Sequence, residues 1–455
     1  MRVLLSNIDV GWMHDGQSRV EDVIIEHGKL LPASSEYDLS LNAQGLVLSR
    51  AFHDHHCHVR ATVARAFSLD VGPDVVTSPD LFTAAVRQRI SETPHNEWIR
   101  ISGYHESHCG YLDKARLDAL SMNHSIRVEH ASGAMWVVNS VGLEELTMLG
   151  MSNSFMEFDA DGEPNGQLFR ADSWMARLPR QSMSAHHLGQ QWLEQGVAGV
   201  TETTPGLGDR ELADFDTWVG ESGLSQRIVC MADADTDYQP VNFFLGPMKV
   251  VLDDVSLPDI GSLADVIIQA HRKERNIAVH CVTQVQAVVA LSAFELAGVV
   301  VGDRVEHGAV LDADLVAWIS RLGLQVVTQP GFIAERGDRY IEEAGFDEAS
   351  RWWPLGSLLS AGISVALSSD APYSSRDPVD IMRAASTRRT RSGIVLGDQE
   401  CIAPWVAARL LSADALSGEA RTDADWCLLE LGDRAVPERV AWTLMAGREA
   451  PVEIS

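Results

Sequence analysis

Residues 51–60, AFHDHHCHVR, bring four histidines, an aspartate and a cysteine together. Alternate side chains of an extended strand share a face, so Asp54, His56 and His58 lie on one side and His53, His55 and Cys57 on the other. A His-x-His pair at a strand end aims two imidazoles at one point, the arrangement that binds a divalent metal. Asp54 beside them could hold an imidazole N–H. The plainer reading is a solvated, histidine-rich loop.

Further candidates stand at the ends of other apolar runs. His280 lies near the end of NIAVH, His307 ends DRVEH, and Asp370 ends SVALSSD. Singly each has a structural explanation, as a hydrogen-bonded rim histidine or a helix-capping aspartate. Gathered at one mouth with His56 and His58, they are a metal-ligand set. Lys249, inside GPMKVVLDD, adds a different chemistry. A lysine is costly to bury charged, and snorkelling to the rim is the structural alternative. Burial otherwise lowers its pKa and leaves a neutral amine. Such an amine can add CO2 to become a carbamate, a carboxylate on a long arm that bridges two divalent ions.

Elements able to position these groups are legible from residue 186 onward. Strand-like runs (VAGVTETTP, QRIVCMADA, GPMKVVLDD, NIAVHCV, VVVGDRVEHG, LQVVTQP, ISVALSSDAP) alternate in large part with helical patterns (DIGSLADVIIQAHRKER, TQVQAVVALSAFELAG, DADLVAWISRLG, WPLGSLLSAG, DPVDIMRAASTRRT). Asp312 is a predicted N-cap and Gly323 a predicted helix stop. Such alternation argues for a parallel sheet. With the strand entering Phe52 the count is eight, which suits a (β/α)8 barrel with chemistry at the carboxyl ends of its strands. The alternative, a doubly wound open sheet, lacks a Gly-rich phosphate loop after any strand. Residues 65–185 break the alternation and read as an insertion between strands 1 and 2, made of helical pieces (SPDLFTAAVRQRISE, DKARLDALSM) and turns, expected to cap the mouth. Both termini read as β material: RVLLSNIDVGW, VEDVIIEHGKLL and GLVLSRAF at one end, DADWCLLELGD, RVAWTLMAGRE and PVEIS at the other. The expected α/β organisation is a barrel at 51–400 flanked by a small β-sandwich module from 1–50 and 401–455.

The chain has 455 residues, 45% of them hydrophobic, and a formal net charge of −28. That balance argues against nucleic acid as a partner, which requires a basic footprint, and fits a self-repelling surface. No apolar stretch reaches the ~18 residues of a membrane span, and the amino-terminal segment lacks a signal-peptide pattern. Six scattered cysteines show no framework spacing. The expectation is a cytoplasmic protein with free thiols and a small-molecule substrate, away from membranes, with the oligomeric state left open, a homo-oligomer included. The basic cluster RRTR at 388–391 reads as a complement to a helix C-terminus.

Taken together, RAFHDHHCH, GYHES, HASGAMWVVNSVGLEEL, DGEPNGQLFR, GVAGVTE, MKVVLDD, AVHCVTQ, RVEHGAVLD and ALSSDAP resemble the motifs of the amidohydrolase superfamily, specifically the YtcJ-like branch of the amidohydrolase 3 family. The resemblance runs over nearly the whole chain. It implies that His56 and His58 hold one metal with Asp370, and that carboxylated Lys249 bridges to a second held by His280 and His307. Zn²⁺, Co²⁺ and Mn²⁺ all suit these ligands. It further implies a metal-activated hydroxide that attacks a carbonyl, with Asp370 as general base and then acid. The expected enzyme cleaves a C–N bond of an amide, N-formyl compound, urea or carbamate. Two alternatives stand beside it, a mononuclear deaminase and a non-catalytic metal-binding barrel. HCVTQVQ lacks the glutamate usual in the former, and the complete ligand set speaks against the latter. The chain departs from the family pattern at Arg50-Ala51 (commonly Pro-Gly), at Thr283-Gln284 (often Gly-Asp) and at Ser132-Gly133-Ala134 (Ser-Gly-His), where His105 and His108 are the histidines able to compensate.

Overall fold

The computed structural model describes residues 2–73, 75–95, 97–175, 177–178, 184–233, 236–416 and 425–445. Eight parallel strands form its central sheet: β1 (Phe52–Cys57), β2 (Val197–Glu202), β3 (Arg227–Ala232), β4 (Phe244–Val251), β5 (Ile277–Cys281), β6 (Arg304–His307), β7 (Gln325–Thr328) and β8 (Val365–Leu367). Each pairs with its neighbours in chain order. The ends of that order meet just past β8, where Asp370 N donates to His56 O at 2.8 Å and His58 N to Ala371 O at 2.8 Å. The sheet is therefore a (β/α)8 barrel.

Helices follow the strands as their caps and periodicity require. Asp312 accepts from Leu315 N and begins Ala313–Leu322, which ends at left-handed Gly323. Thr283 and Gln286 form a capping box on Gln284–Ala297, so the departure at Thr283-Gln284 lies at a helix start. Asp377 caps Pro378–Thr387. The apolar faces of these helices cover strands that are buried on both sides, as parallel strands must be.

The terminal segments share a second, seven-stranded sheet. Its order is Pro437–Leu444, Trp426–Leu431, Leu46–Arg50, Arg2–Asp9, Val20–Glu26 and Lys29–Pro32, with Leu39–Asn42 also pairing Arg2–Asp9. Val3, Leu5, Ile8, Ile25, Leu428 and Trp442 pack its buried face. PVEIS lies outside the described residues.

Residues 60–184 form a compact unit of their own. The expected helices are present at Pro79–Glu92, capped by Ser78, and at Lys114–Asp118, capped by Asp113. The unit also contains a six-stranded sheet that sequence reading missed: Met156–Phe158, Pro164–Phe169, Met135–Val138, Ile126–His130, Ile99–Tyr104 and Leu69–Asp70. Its strands are at most six residues long, too short for periodicity to separate them from buried helix or loop. The basic cluster does stand at a helix end, with Arg388 the C-cap of Pro378–Thr387. Arg388 is buried, and its guanidinium donates to the carbonyls of Leu396, Trp353 and Trp352, stapling three chain segments together.

Candidate metal centre

The six expected ligands stand at or near the carboxyl ends of five barrel strands: β1, β4, β5, β6 and β8. Strand alternation separates the histidines of β1 as the spacing requires. His53 Nε2 lies 2.8 Å from Thr201 Oγ1, and His55 Nε2 lies 3.0 Å from Ser412 O, both turned from the centre. A Cβ at Gly199 would fall 2.3 Å from His53 Nδ1, so β2 needs glycine there to let β1 lie close. Burial pushes the Cys57 thiol well up, against any thiolate role.

On the other face His56 Nε2 lies 3.6 Å, and His58 Nε2 3.3 Å, from Asp370 Oδ1. The His56 ring centroid is 4.7 Å from that of His307, which is 4.4 Å from that of His280. His56, His307 and Asp370 each offer a ligand atom within 4.8 Å of the others. His307 and Asp370 both have left-handed backbones, at φ 71° and 56°. This conformation is uncommon for residues other than glycine. It breaks the two-residue alternation, so Glu306 and His307, adjacent in sequence, can both serve the barrel interior.

The protons point to a cation. Glu306 Oε2 accepts from His56 Nδ1. A carboxylate only accepts, so the proton of neutral His56 lies on Nδ1 and the Nε2 lone pair faces the centre. His307 Nδ1 meets Gln329 Oε1 at 2.8 Å, while Gln329 Nε2 donates to Ser368 Oγ at 2.9 Å. In that orientation of the Gln329 amide the proton of His307 lies on Nδ1 and its second nitrogen is an acceptor too. Asp370 Oδ1 is buried, with His58 Nε2 3.3 Å away. Buried acceptors thus crowd together beside His58, and a cation among them would offset the cost of burying them.

Electrostatics agree for three of the four histidines. Burial, with the neighbouring Lys249 charge, pushes His56 well below its ordinary value. Burial and His307 do the same for His280. Burial, with His56 beside it, takes His307 down to about 3. Neutral imidazoles are the ligand form. For His58, burial is outweighed by Asp370, and its pKa rises. Burial would raise Asp370, but contact with His58 and the nearby His56 and His307 hold it well below the usual carboxylate range. Lys249 is 7% exposed, and burial lowers its pKa against the pull of Glu306 and Asp370. A buried lysine beside this cluster, its pKa lowered by burial, fits the expectation of a reactive lysine.

Asp54 departs from its expected part. It accepts from Ser369 N at 3.0 Å, from Ser369 Oγ and from His56 N at 3.3 Å. It clasps β1 to the segment carrying Asp370, while the imidazole N–H goes to Glu306. Glu306, Arg304, Gln329 and Thr204, 3.2 Å from His58 Nδ1, were missed. The available signal was DRVEH itself, where two opposite charges two apart in an apolar strand must share one buried face.

The histidines of the 60–184 unit are engaged differently. His105 Nδ1 accepts from Ser107 N at 3.2 Å and His130 Nδ1 from Ser132 N at 3.0 Å, while His108 Nε2 lies 3.1 Å from Val71 O. His105, Glu106 and His130 are close enough to surround an ion. Because both Nδ1 atoms accept, the ring protons fall on Nε2 and no imidazole lone pair is left for a metal.

Residues 40–417 match the model of the amidohydrolase family. The putative amidohydrolase YtcJ of Bacillus subtilis (strain 168) is 24% identical over 82% of this chain and 79% of its own. The N-substituted formamide deformylase of Arthrobacter pascens is 22% identical over 95% and 92%. A metal-dependent hydrolase of Pyrococcus horikoshii OT3 shares the fold at a TM-score of 0.71 and 16% identity, covering 96% of this chain and 98% of that one. The chain belongs to the amidohydrolase family and is a metal-dependent hydrolase.

Proposed function

We propose that this enzyme hydrolyses a C–N bond of a small molecule at one or two divalent ions held by His56, His58, Lys249, His280, His307 and Asp370. Amides, N-formyl compounds, ureas and carbamates all offer the carbonyl and the nitrogen leaving group. The observation that carries the reading is that His56, His307 and Asp370, all buried, each offer a ligand atom within 4.8 Å of the others. A divalent ion there polarises a carbonyl and acidifies water toward neutrality. Asp370, kept ionised by the surrounding imidazoles, accepts the proton of the attacking water and returns it to the departing nitrogen. Lys249, as its carbamate, would add a carboxylate to the groups holding the ions. One observation favours the single-ion form: among the described residues only His56, His307 and Asp370 meet within 4.8 Å at this mouth. The deformylase activity named for the Arthrobacter relative supports trying formamides first. Barrel chemistry is assigned to 51–400, with the terminal sheet as support. A reducing, cytoplasmic setting agrees with the six free cysteines, and no helix among the described residues is long and apolar enough to cross a membrane.

The test is metal content by elemental mass spectrometry with intact mass under native conditions. Two ions and the added mass of one CO2, both lost in Lys249→Ala, are the expected result. One ion without added mass selects the mononuclear form. Absence of metal after reconstitution, or amide turnover indifferent to chelation, defeats the reading.

A further inference from the structure

We propose that Arg304 and Glu306 form a positioning pair that selects which nitrogen His56 presents to the metal centre. The inference rests on the reading of His56 as a metal ligand.

Glu306 is fully buried and Arg304 is 1% exposed. One oxygen of Glu306 takes the Nδ1–H of His56, and the other takes Arg304 Nε–H at 2.6 Å. Arg304 Nη2 also donates to His55 O at 3.3 Å, which ties the guanidinium to the strand that carries His56. The three neighbouring rings have partners of different kinds. His58 Nδ1 meets the Thr204 hydroxyl and His307 Nδ1 the Gln329 amide. Hydroxyls and amides can turn round and donate, so neither dictates a tautomer. Glu306 cannot donate, so among these three it alone forces the proton onto Nδ1 and the lone pair onto Nε2. A glutamine at 306 would offer one acceptor to two donors. Either Arg304 loses its partner, or an amide N–H faces His56 Nδ1. In the second case the ring proton moves to Nε2 and closes that nitrogen to an ion.

Glu306→Gln alone strands a buried arginine and can fail to fold. The decisive variant is Arg304→Met with Glu306→Leu, which removes both charges and leaves His56 Nδ1 without an acceptor. Apparent Zn²⁺ affinity is read by chelator competition, and the melting temperature of the chelated protein is read alongside. The expected result is a folded double variant, at least as stable as wild type without metal, whose Zn²⁺ affinity is lower by about 10- to 100-fold. A double variant that binds as tightly as wild type makes the pair purely structural and overturns the proposal. Wild type that takes up no Zn²⁺ defeats the metal reading and the proposal with it. A second measurement needs no folded variant of the pair: ¹⁵N-histidine spectra of chelated wild type, with His56 assigned by its loss in His56→Gln. The Nδ1–H tautomer at His56 is expected, and an Nε2–H tautomer overturns the proposal.

Discussion

Replacing Asp54 by asparagine should stabilise the metal-free enzyme, and only above acidic pH. Burial raises the Asp54 pKa from 3.8 to about 6, against the hydrogen bonds from Ser369 and His56. The folded state therefore keeps a proton on Asp54 over a range where the unfolded chain has released it. Stability from this group is complete below about pH 4 and is lost as the pH rises through about 6. The shift corresponds to roughly 3 kcal/mol. Asparagine mimics the protonated acid. Its Oδ1 still accepts from Ser369 N and His56 N, and its amide can donate to Ser369 Oγ. The assay is the thermal midpoint of chelated wild type and Asp54→Asn, followed from pH 4 to 8. The two midpoints should coincide near pH 4 and separate in favour of the variant above about pH 6. A variant less stable at pH 8, or a difference independent of pH, refutes the reasoning that burial dominates at this clasp.

Asp370→Asn should retain most bound metal yet lose about 10²- to 10⁴-fold in kcat, as expected of a proton-transfer group; near-normal turnover removes Asp370 from the mechanism. Gln329→Leu deletes the acceptor of His307 Nδ1 and should weaken metal binding about 10- to 100-fold, measured by chelator competition. Unchanged affinity would mean that His307 needs no orienting partner. Gly199→Ala sets a methyl 2.3 Å from His53 Nδ1, and overpacking of that kind costs about 1–3 kcal/mol. A melting temperature equal to wild type would show that β1 and β2 can separate freely there.

Much of the site was legible because it follows short-range rules. The period of two in FHDHHCH divides metal-facing from outward histidines, and His53 and His55 do bond away from the centre. Asp312 and Gly323 begin and end their helix as local capping chemistry requires. Lys249 attracted notice because a lysine in an apolar strand is expensive wherever the strand lies. The sheet inside residues 60–184 was not legible. IRISGY and MWVV are rich in strand-forming residues but too short for a period to show, and only pairing across the chain marks them as strands.

The amino-acid sequence alone marks the candidate ligands, most of the strand–helix alternation and the face each β1 side chain takes, because residue type and backbone period act locally. Tertiary structure decides which partner each ligand meets. Asp54 lies on the metal-facing side of β1, yet it serves the Ser369 backbone, while the imidazole proton goes to Glu306, 250 residues away. His307 follows an inward residue and still reaches the centre, because its backbone turns left-handed. Hydrogen-bond competition in a buried space is settled by who is nearest with an acceptor to spare, and closure of the barrel sets those distances.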